Sequence, residues 1–159
     1  MKWAVRIGSM LALAAAVLSS FSCGSGSAAK VAESQVSKVG AVEVTARLLE
    51  IPAGAIFKRH LYNYAAILKY QVLQVHRGAL PGDVIYVGHY NPWKPRAEAP
   101  DKRVRNTGGS LKRFEAGQVH RMALEVPIDD HYMGGIVNKY FGKDTGPLYW
   151  AVWTDLGSE

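Results

Sequence analysis

The chain predicts a small all-β domain: five antiparallel strands closed into a Greek-key barrel, with one short helix late in the sequence. Three observations carry this expectation. A long amphipathic hairpin runs between Tyr64 and Trp93, short alternating runs stand before and after it, and turn-forming residues separate them. In the hairpin, Ala66, Leu68, Tyr70 and Val72 are apolar at every second position with Lys69 and Gln71 between them, the period of a strand with one wet face. At Val72 and Leu73 the phase slips by one, after which Leu73 and Val75 carry the apolar face while Gln74 and His76 turn outward. A β-bulge produces such a slip and adds the bend that a coiled barrel strand requires; a strand buried on both faces is the alternative. Gly78, Pro81, Gly82 and Asp83 then reverse the chain, and residues 84–87 resume as a β-rich run. A lone hairpin is marginal in water, so this one needs partner strands or closure.

Before the hairpin, Val42, Val44, Ala46 and Leu48 alternate with Glu43, Thr45 and Arg47, giving a first strand. Residues 51–63 form a loop opened by Pro52 and Gly54 and carrying Lys58, Arg59, His60, Tyr62 and Asn63. After the hairpin, residues 91–110 hold Pro92, Pro95, Pro100, Gly108 and Gly109 and few aliphatic side chains; loops of this length are usually functional or disordered. A turn at 114–117 leads to a fourth strand at 119–127, in which His120, Met122, Leu124 and Val126 share one face and Arg121, Ala123 and Glu125 the other. Ile128, Tyr132, Ile136 and Tyr140 are four residues apart, which predicts a helix over 128–141 begun by Asp129 and Asp130. Gly134 and Gly135 each weaken it by about 1 kcal/mol relative to alanine. Residues 149–154 are an aromatic last strand. Closure hides the edges of such a set.

At 159 residues the chain suits one domain once its start is set aside. Lys2 and Arg6, an apolar run over 7–18 and small residues through Ser22 form a secretory signal at 1–22, too short for a comfortable membrane span. Cys23, the only cysteine, follows directly. The hexapeptide LSSFSC resembles the lipobox of bacterial lipoproteins, although Ser20 stands where that motif prefers leucine. The resemblance implies an exported protein, anchored to a membrane through a lipidated Cys23 and facing the periplasm or cell surface. Ordinary cleavage near Ser22 or Ala28 is the alternative. Residues 23–40, rich in Gly, Ser, Ala and Lys, read as a tether, and 41–159 as the barrel domain. Removing 1–22 lowers the formal charge from +6 to +4, so the domain stays basic and favours acidic partners.

The segments VTARLLE, YQVLQVHRG, GDVIYV and FEAGQVHRMALE, spanning 42–125, are similar in pattern to the netrin-like or metalloproteinase-inhibitor-like branch of OB-fold domains. That resemblance implies an OB-like barrel. It does not extend to inhibition, because those inhibitors use a free N-terminal Cys and several disulfides.

The string GHYNPWKPR at 88–96 places aromatic, polar and cationic groups on a strand end and the loop beyond, where binding groups commonly sit. The candidate binding surface is an open face of Tyr86, His89, Tyr90, Trp93, Lys94 and Arg96, joined by Arg59 and His60. Its expected ligand is an anionic envelope polysaccharide or an envelope protein. Trp93 folded back as a lid on the core is the alternative. Between Lys94 and Arg113 stand seven basic and two acidic residues, a local excess of +5. A basic aromatic groove suits a polyanion, and export argues against nucleic acid; a solvated loop drawn to anionic lipid headgroups is a plainer reading.

The five histidines form no short ligand pair, although His89 and His120 can meet across strands. No cofactor or metal is called for, and no GxSxG, HExxH or phosphate-loop motif is present. The expectation is therefore a non-enzymatic binding or assembly module. The alternatives are an enzyme with a histidine-centred, metal-assisted site and a structural lipoprotein subunit of an envelope complex.

Overall fold

Six strands are formed: β1 (Val42–Glu50), β2 (Ala65–Arg77), β3 (Val84–Tyr90), β4 (Val119–Glu125), β5 (Ile136–Val137) and β6 (Leu148–Leu156). The structure is a computed structural model that describes residues 35–54, 62–131 and 134–159; the predicted signal, Cys23, most of the tether, Arg59 and His60 lie outside them. Five strands follow one another as β1-β4-β6-β3-β2, and β1 pairs again with β2, so the sheet closes into a small all-β barrel of OB-like strand order.

Four joints of the ring are antiparallel, but β3 and β6 run parallel, with Tyr86 opposite Leu148 and Gly88 opposite Trp150. This corrects the expectation of a wholly antiparallel barrel. The reason is parity: strand direction cannot alternate all the way round a ring with an odd number of members. The sixth strand, β5, lies parallel to β2 at Ala65 and Ala66. Pairing of β1 with β2 ends at Lys69, so β5 covers the edge that β1 leaves bare.

The predicted bulge is present. Thr45 faces Gln74 and Ala46 faces Val72, which leaves Leu73 as the extra residue. Beyond it Leu73 and Val75 are each 42% exposed rather than core. Pairing of β2 with β3 ends at Gln71 opposite Val84, so β2 there projects past the barrel wall.

The barrel interior is filled by Val44, Ala46, Leu48, Leu68, Tyr70, Ile85, Val87, Met122, Leu124, Tyr149 and Ala151, plugged from one end by Leu111 and Phe114. A second cluster coats the outside of the wall: Val36, Ile67, Tyr90, Val104, Ala123, Ile128, Tyr140, Trp150 and Val152. Strand β6 is thus buried on both faces, which is why its sequence does not alternate. Val36 lies within the expected tether yet is fully buried, and the Ala41 amide donates to the Leu124 carbonyl at 2.9 Å. The stretch from Gln35 onward is therefore packed on the domain.

The predicted late helix is not formed among the described residues of 128–141, which hold a 3₁₀ turn (Ile128–Asp130), then β5 and turns. Gly134 and Gly135 take φ of 74° and 153°, left-handed and extended-mirror values that a helix excludes. The four-residue spacing arises because Ile128 and Tyr140 are separate anchors. Ile128 presses on Gly88, and Tyr140 meets Tyr86 edge-on with centroids 4.7 Å apart.

The long connection from β3 to β4 is a strap pinned across β6. Gly108 and β6 exchange backbone bonds, Gly108 N to Val152 O and Thr154 N to Gly108 O, both 3.0 Å. Ser110 donates from its amide and its hydroxyl to Asp155 at 2.6 and 2.8 Å. Gly109 permits the approach: its φ is +129°, and an added Cβ would stand 1.9 Å from the Thr154 carbonyl oxygen. Gly109→Ala is therefore expected to lower the unfolding free energy by about 2 kcal/mol or more in urea titration. Gly82→Ala, at an open turn with nothing within 4 Å, should stay within about 0.5 kcal/mol of the parent.

Candidate functional site

Two polar assemblies stand out, one sealed inside the barrel and one open on the strap. The sealed one is built by three strands and the strap. Tyr70 comes from β2, His89 from β3, His120 from β4, and Arg96 and Phe114 from the strap's two ends, all of them buried. The Tyr70 Oη lies 3.0 Å from His89 Nε2 and 3.2 Å from His120 Nδ1, and His120 Nε2 lies 3.2 Å from Gln118 Oε1.

The direction of this chain follows from Gln118. Its Oε1 accepts from the Glu115 amide and its Nε2 donates to the Glu115 carboxylate, both at 3.1 Å, which orients the amide. His120 must then carry its proton on Nε2 and accept at Nδ1. Tyr70 accordingly donates to His120 and accepts from His89 Nε2, leaving His89 Nδ1 as a buried atom with no partner among the described residues.

Both imidazoles are held neutral. Burial pushes His120 down from 6.5 to about 4. Burial also pushes His89 well below 6.5, with the nearby charge of Arg96 and that of His120 adding to it. Burial raises the Tyr70 phenol well above 10, tempered by Arg96. The Arg96 guanidinium, 2% exposed, donates to the carbonyls of Tyr90, Asn91 and Lys94 at 2.8, 2.6 and 3.1 Å and lies 5.0 Å from the Phe114 centroid. Among the described residues no carboxylate pairs with it, and burial lowers it to about 10. A second cation would meet this charge without a compensating anion, so the histidine pair is poorly suited to a metal despite its convergence.

The predicted binding residues do not share one open face. Period two along β3 sends His89 into the barrel and Tyr86 and Tyr90 outward. Tyr86 lies under Tyr140, and Tyr90 is buried with its hydroxyl donating to Asp101 at 2.6 Å. Trp93 is half-buried, its ring 4.5 Å from that of Tyr64. Lys94 is half-buried, and its carbonyl accepts from Arg96. Arg96 and His89 are therefore interior groups, which corrects their placement on a ligand-facing rim.

The open cationic surface is further along the strap. Asp101 accepts from the amides of Arg103 and Val104 at 2.7 and 2.9 Å, and the Val104 side chain enters the outer apolar cluster. Burial alone would raise the Asp101 pKa, but hydrogen bonds from Tyr90, these two amides and Asn63 outweigh it and keep the carboxylate below 3.8. That turn leaves Lys102, Arg103 and Arg105 exposed around a cleft of about 300 Å³ lined also by Asn106, Asp130, His131 and Trp150. The His131 ring stacks on Trp150 with centroids 5.3 Å apart at 16°, and its Nε2 is 3.0 Å from Glu125. A neighbouring cleft of about 400 Å³ shares Arg105 and Asn106 and runs along Val152 and Trp153. The +5 charge excess flagged this segment in the sequence; nothing there linked it to His131 or Trp150, which arrive from distant turns of the chain.

A larger cleft of about 560 Å³ lies over β1, β4 and β6, lined by Thr45, Gln74, His76, Ser110, Arg121 and Asp155 among others. Its polar groups already serve one another. His76 Nε2 is 2.8 Å from Thr45 Oγ1, Asp155 accepts from Ser110 and Trp153, and Arg121 binds Glu43 at 2.7 and 3.0 Å. No described carboxylate orients His76, so a base-and-nucleophile arrangement is not assembled there.

Replacing Tyr70 with Phe removes the shared partner of both imidazoles and should destabilise the fold by about 1–3 kcal/mol, read by urea unfolding at pH 7.5. For the parent, His120 binds its proton more readily unfolded than folded. Its contribution of about 3 kcal/mol is thus full above pH 6.5 and lost as pH falls through about 4. Unfolding midpoints measured across that window check the sign.

Comparison with protein-family models, with curated proteins and with solved structures found no match.

Proposed function

We propose that this chain is an exported, lipid-anchored, non-enzymatic binding module of the bacterial cell envelope, which holds an acidic polysaccharide at the cleft of Lys102, Arg103 and Arg105. The observation that carries the reading is this cleft. Three exposed cations, none in an ion pair among the described residues, surround a concavity of about 300 Å³ on a strap fixed to the barrel. Fixing the strap in advance means that its ordering is not charged against binding. Like charges held close together focus the potential that attracts a polyanion.

Support for the envelope setting comes from the leading residues: an export signal, then a cysteine in a lipobox-like hexapeptide. Gln35, the first described residue, stands twelve residues after Cys23. A fully extended connection of that length spans on the order of 40 Å, so an anchored domain works close to the bilayer. The weak apolar character of the cleft suits a hydrated polymer better than a protein with a greasy contact.

The test is retention of the full mature chain on an immobilised polyuronate. Combined Lys102→Ala, Arg103→Ala and Arg105→Ala should weaken retention about tenfold or more and flatten its dependence on salt. The melting temperature should shift by no more than about 2 °C, because exposed side chains without partners contribute little to stability. Undiminished retention by the triple variant, or retention that tracks Lys112 and Arg113 instead, would overturn the assignment of the cleft. Export and anchoring are tested separately, by metabolic lipid labelling of the parent and of Cys23→Ser.

A further inference from the structure

The strap that carries the cationic cleft meets the buried imidazoles at its far end through Phe114, and its near end meets that same ring through Arg96. At its start Arg96 reaches in through the mouth of the barrel, and at its end Phe114 lies against His89 and His120 with centroid distances of 4.6 and 5.5 Å. We propose that the His89–Tyr70–His120 chain is an acid-operated latch, neutral and closed near neutral pH, whose protonation releases the strap from the barrel mouth.

The hydrogen-bond directions leave no place for an extra proton. His120 already donates from Nε2 and accepts Tyr70's proton at Nδ1, so protonating Nδ1 sets a donor against a donor and strands the Tyr70 hydroxyl. His89 donates from Nε2, and its Nδ1 has no partner, so a proton there creates a buried, unbonded N–H. Protonating His89 also places a cation near the Arg96 guanidinium, whose charge already bears on that ring and whose Nε has no partner among the described residues.

Among the described residues no anion within the barrel offsets this. The interior groups from β1 are Val44, Ala46 and Leu48; β2 adds Leu68 beside Tyr70, and β3 adds Ile85 and Val87 beside His89. Strand β4 supplies Met122 and Leu124 beside His120, and β6 supplies Tyr149 and Ala151. The nearest carboxylate in the network, Glu115, is reached only through Gln118, at the surface. Burial holds both imidazoles below 6.5, which sets the switching range on the acid side of neutrality.

The strap yields before the wall because the wall is a closed ring of ladders, whereas the strap is held by separate points: Arg96, Asp101 on Tyr90, Val104, the Gly108 bridge, Ser110 and two plugs. Release would move Lys102, Arg103 and Arg105 off the Trp150 side of the cleft, so acidification would eject an anionic polymer. That consequence rests on the proposed binding function; the latch itself does not.

The experiment is hydrogen–deuterium exchange of the full mature chain at pH 7.5 and pH 5.0, corrected for intrinsic exchange and read for 97–113 against β2 and β4. The parent should lose protection in 97–113 by about tenfold or more at pH 5.0 while β2 and β4 keep theirs. In His89→Gln/His120→Gln the strap should keep its protection at both pH values. If that variant does not fold, Arg96→Gln, which removes the charge facing the imidazolium, should shrink the acid-induced loss. An unchanged strap in the parent overturns the latch. So does equal loss in strap and wall, which is global acid unfolding, or a loss that persists in the folded His89→Gln/His120→Gln variant and in Arg96→Gln. Polyuronate binding measured in parallel separates the two ideas: exchange that follows the prediction without any polymer binding leaves the latch and removes the ligand.

Discussion

Closure of five strands into a ring is the constraint from which the rest of this molecule follows. An odd ring cannot alternate in direction throughout, and the one parallel joint falls between β3 and β6. With β6 seated between β3 and β4 in the ring, the chain leaving β3 has to pass across β6 to reach β4. The strap is that crossing. Its close backbone approach at Gly108 and Gly109 and its bond from Ser110 to Asp155 are the means by which it lies flat on the strand it traverses. A long connection that composition alone describes as loop is thus a fixed outer layer.

Because the strap begins and ends at the barrel mouth, its two ends also supply the plug. Arg96 satisfies three carbonyls where β3 gives way to the strap, and Phe114 closes over the imidazoles. The polar interior is costly in principle, since a guanidinium, two imidazoles and a phenol are withdrawn from water together. Their mutual bonding offsets part of that cost, and the neutral state of both histidines keeps the total charge of the cavity to that of one arginine. The same arrangement makes the cavity intolerant of a further proton. Stability and acid sensitivity here come from one set of contacts.

Function was less legible than fold. The cations of 94–113 are conspicuous in the sequence, and five of the seven do face solvent. Arg96 stands in the same string and looks the same on paper, yet it is interior, because its neighbours on the chain turn their carbonyls toward it. His89 and Tyr90 are adjacent and were expected to act together; the strand period puts them on opposite sides of the wall. The stacked His131 and Trp150 beside the cations come from a turn after β4 and from β6, and no spacing rule relates them to residue 103. The predicted helix failed for a kindred reason. Ile128 and Tyr140 belong to one four-residue series and both are buried, but each is buried against a different part of the outer wall, and two glycines between them take conformations no helix contains.

What the amino-acid sequence determined by itself is local. The alternation of Val42–Leu48, the phase slip at Leu73, the turn chemistry between β2 and β3 and the aromatic run of β6 all lie within a few residues, where side-chain period and backbone preference are enough. Tertiary structure alone decided the parallel joint, the path of the strap, the burial of Arg96 and the meeting of His89 with His120 across Tyr70. Those depend on which strands become neighbours in the ring, a choice made by packing among residues far apart along the chain.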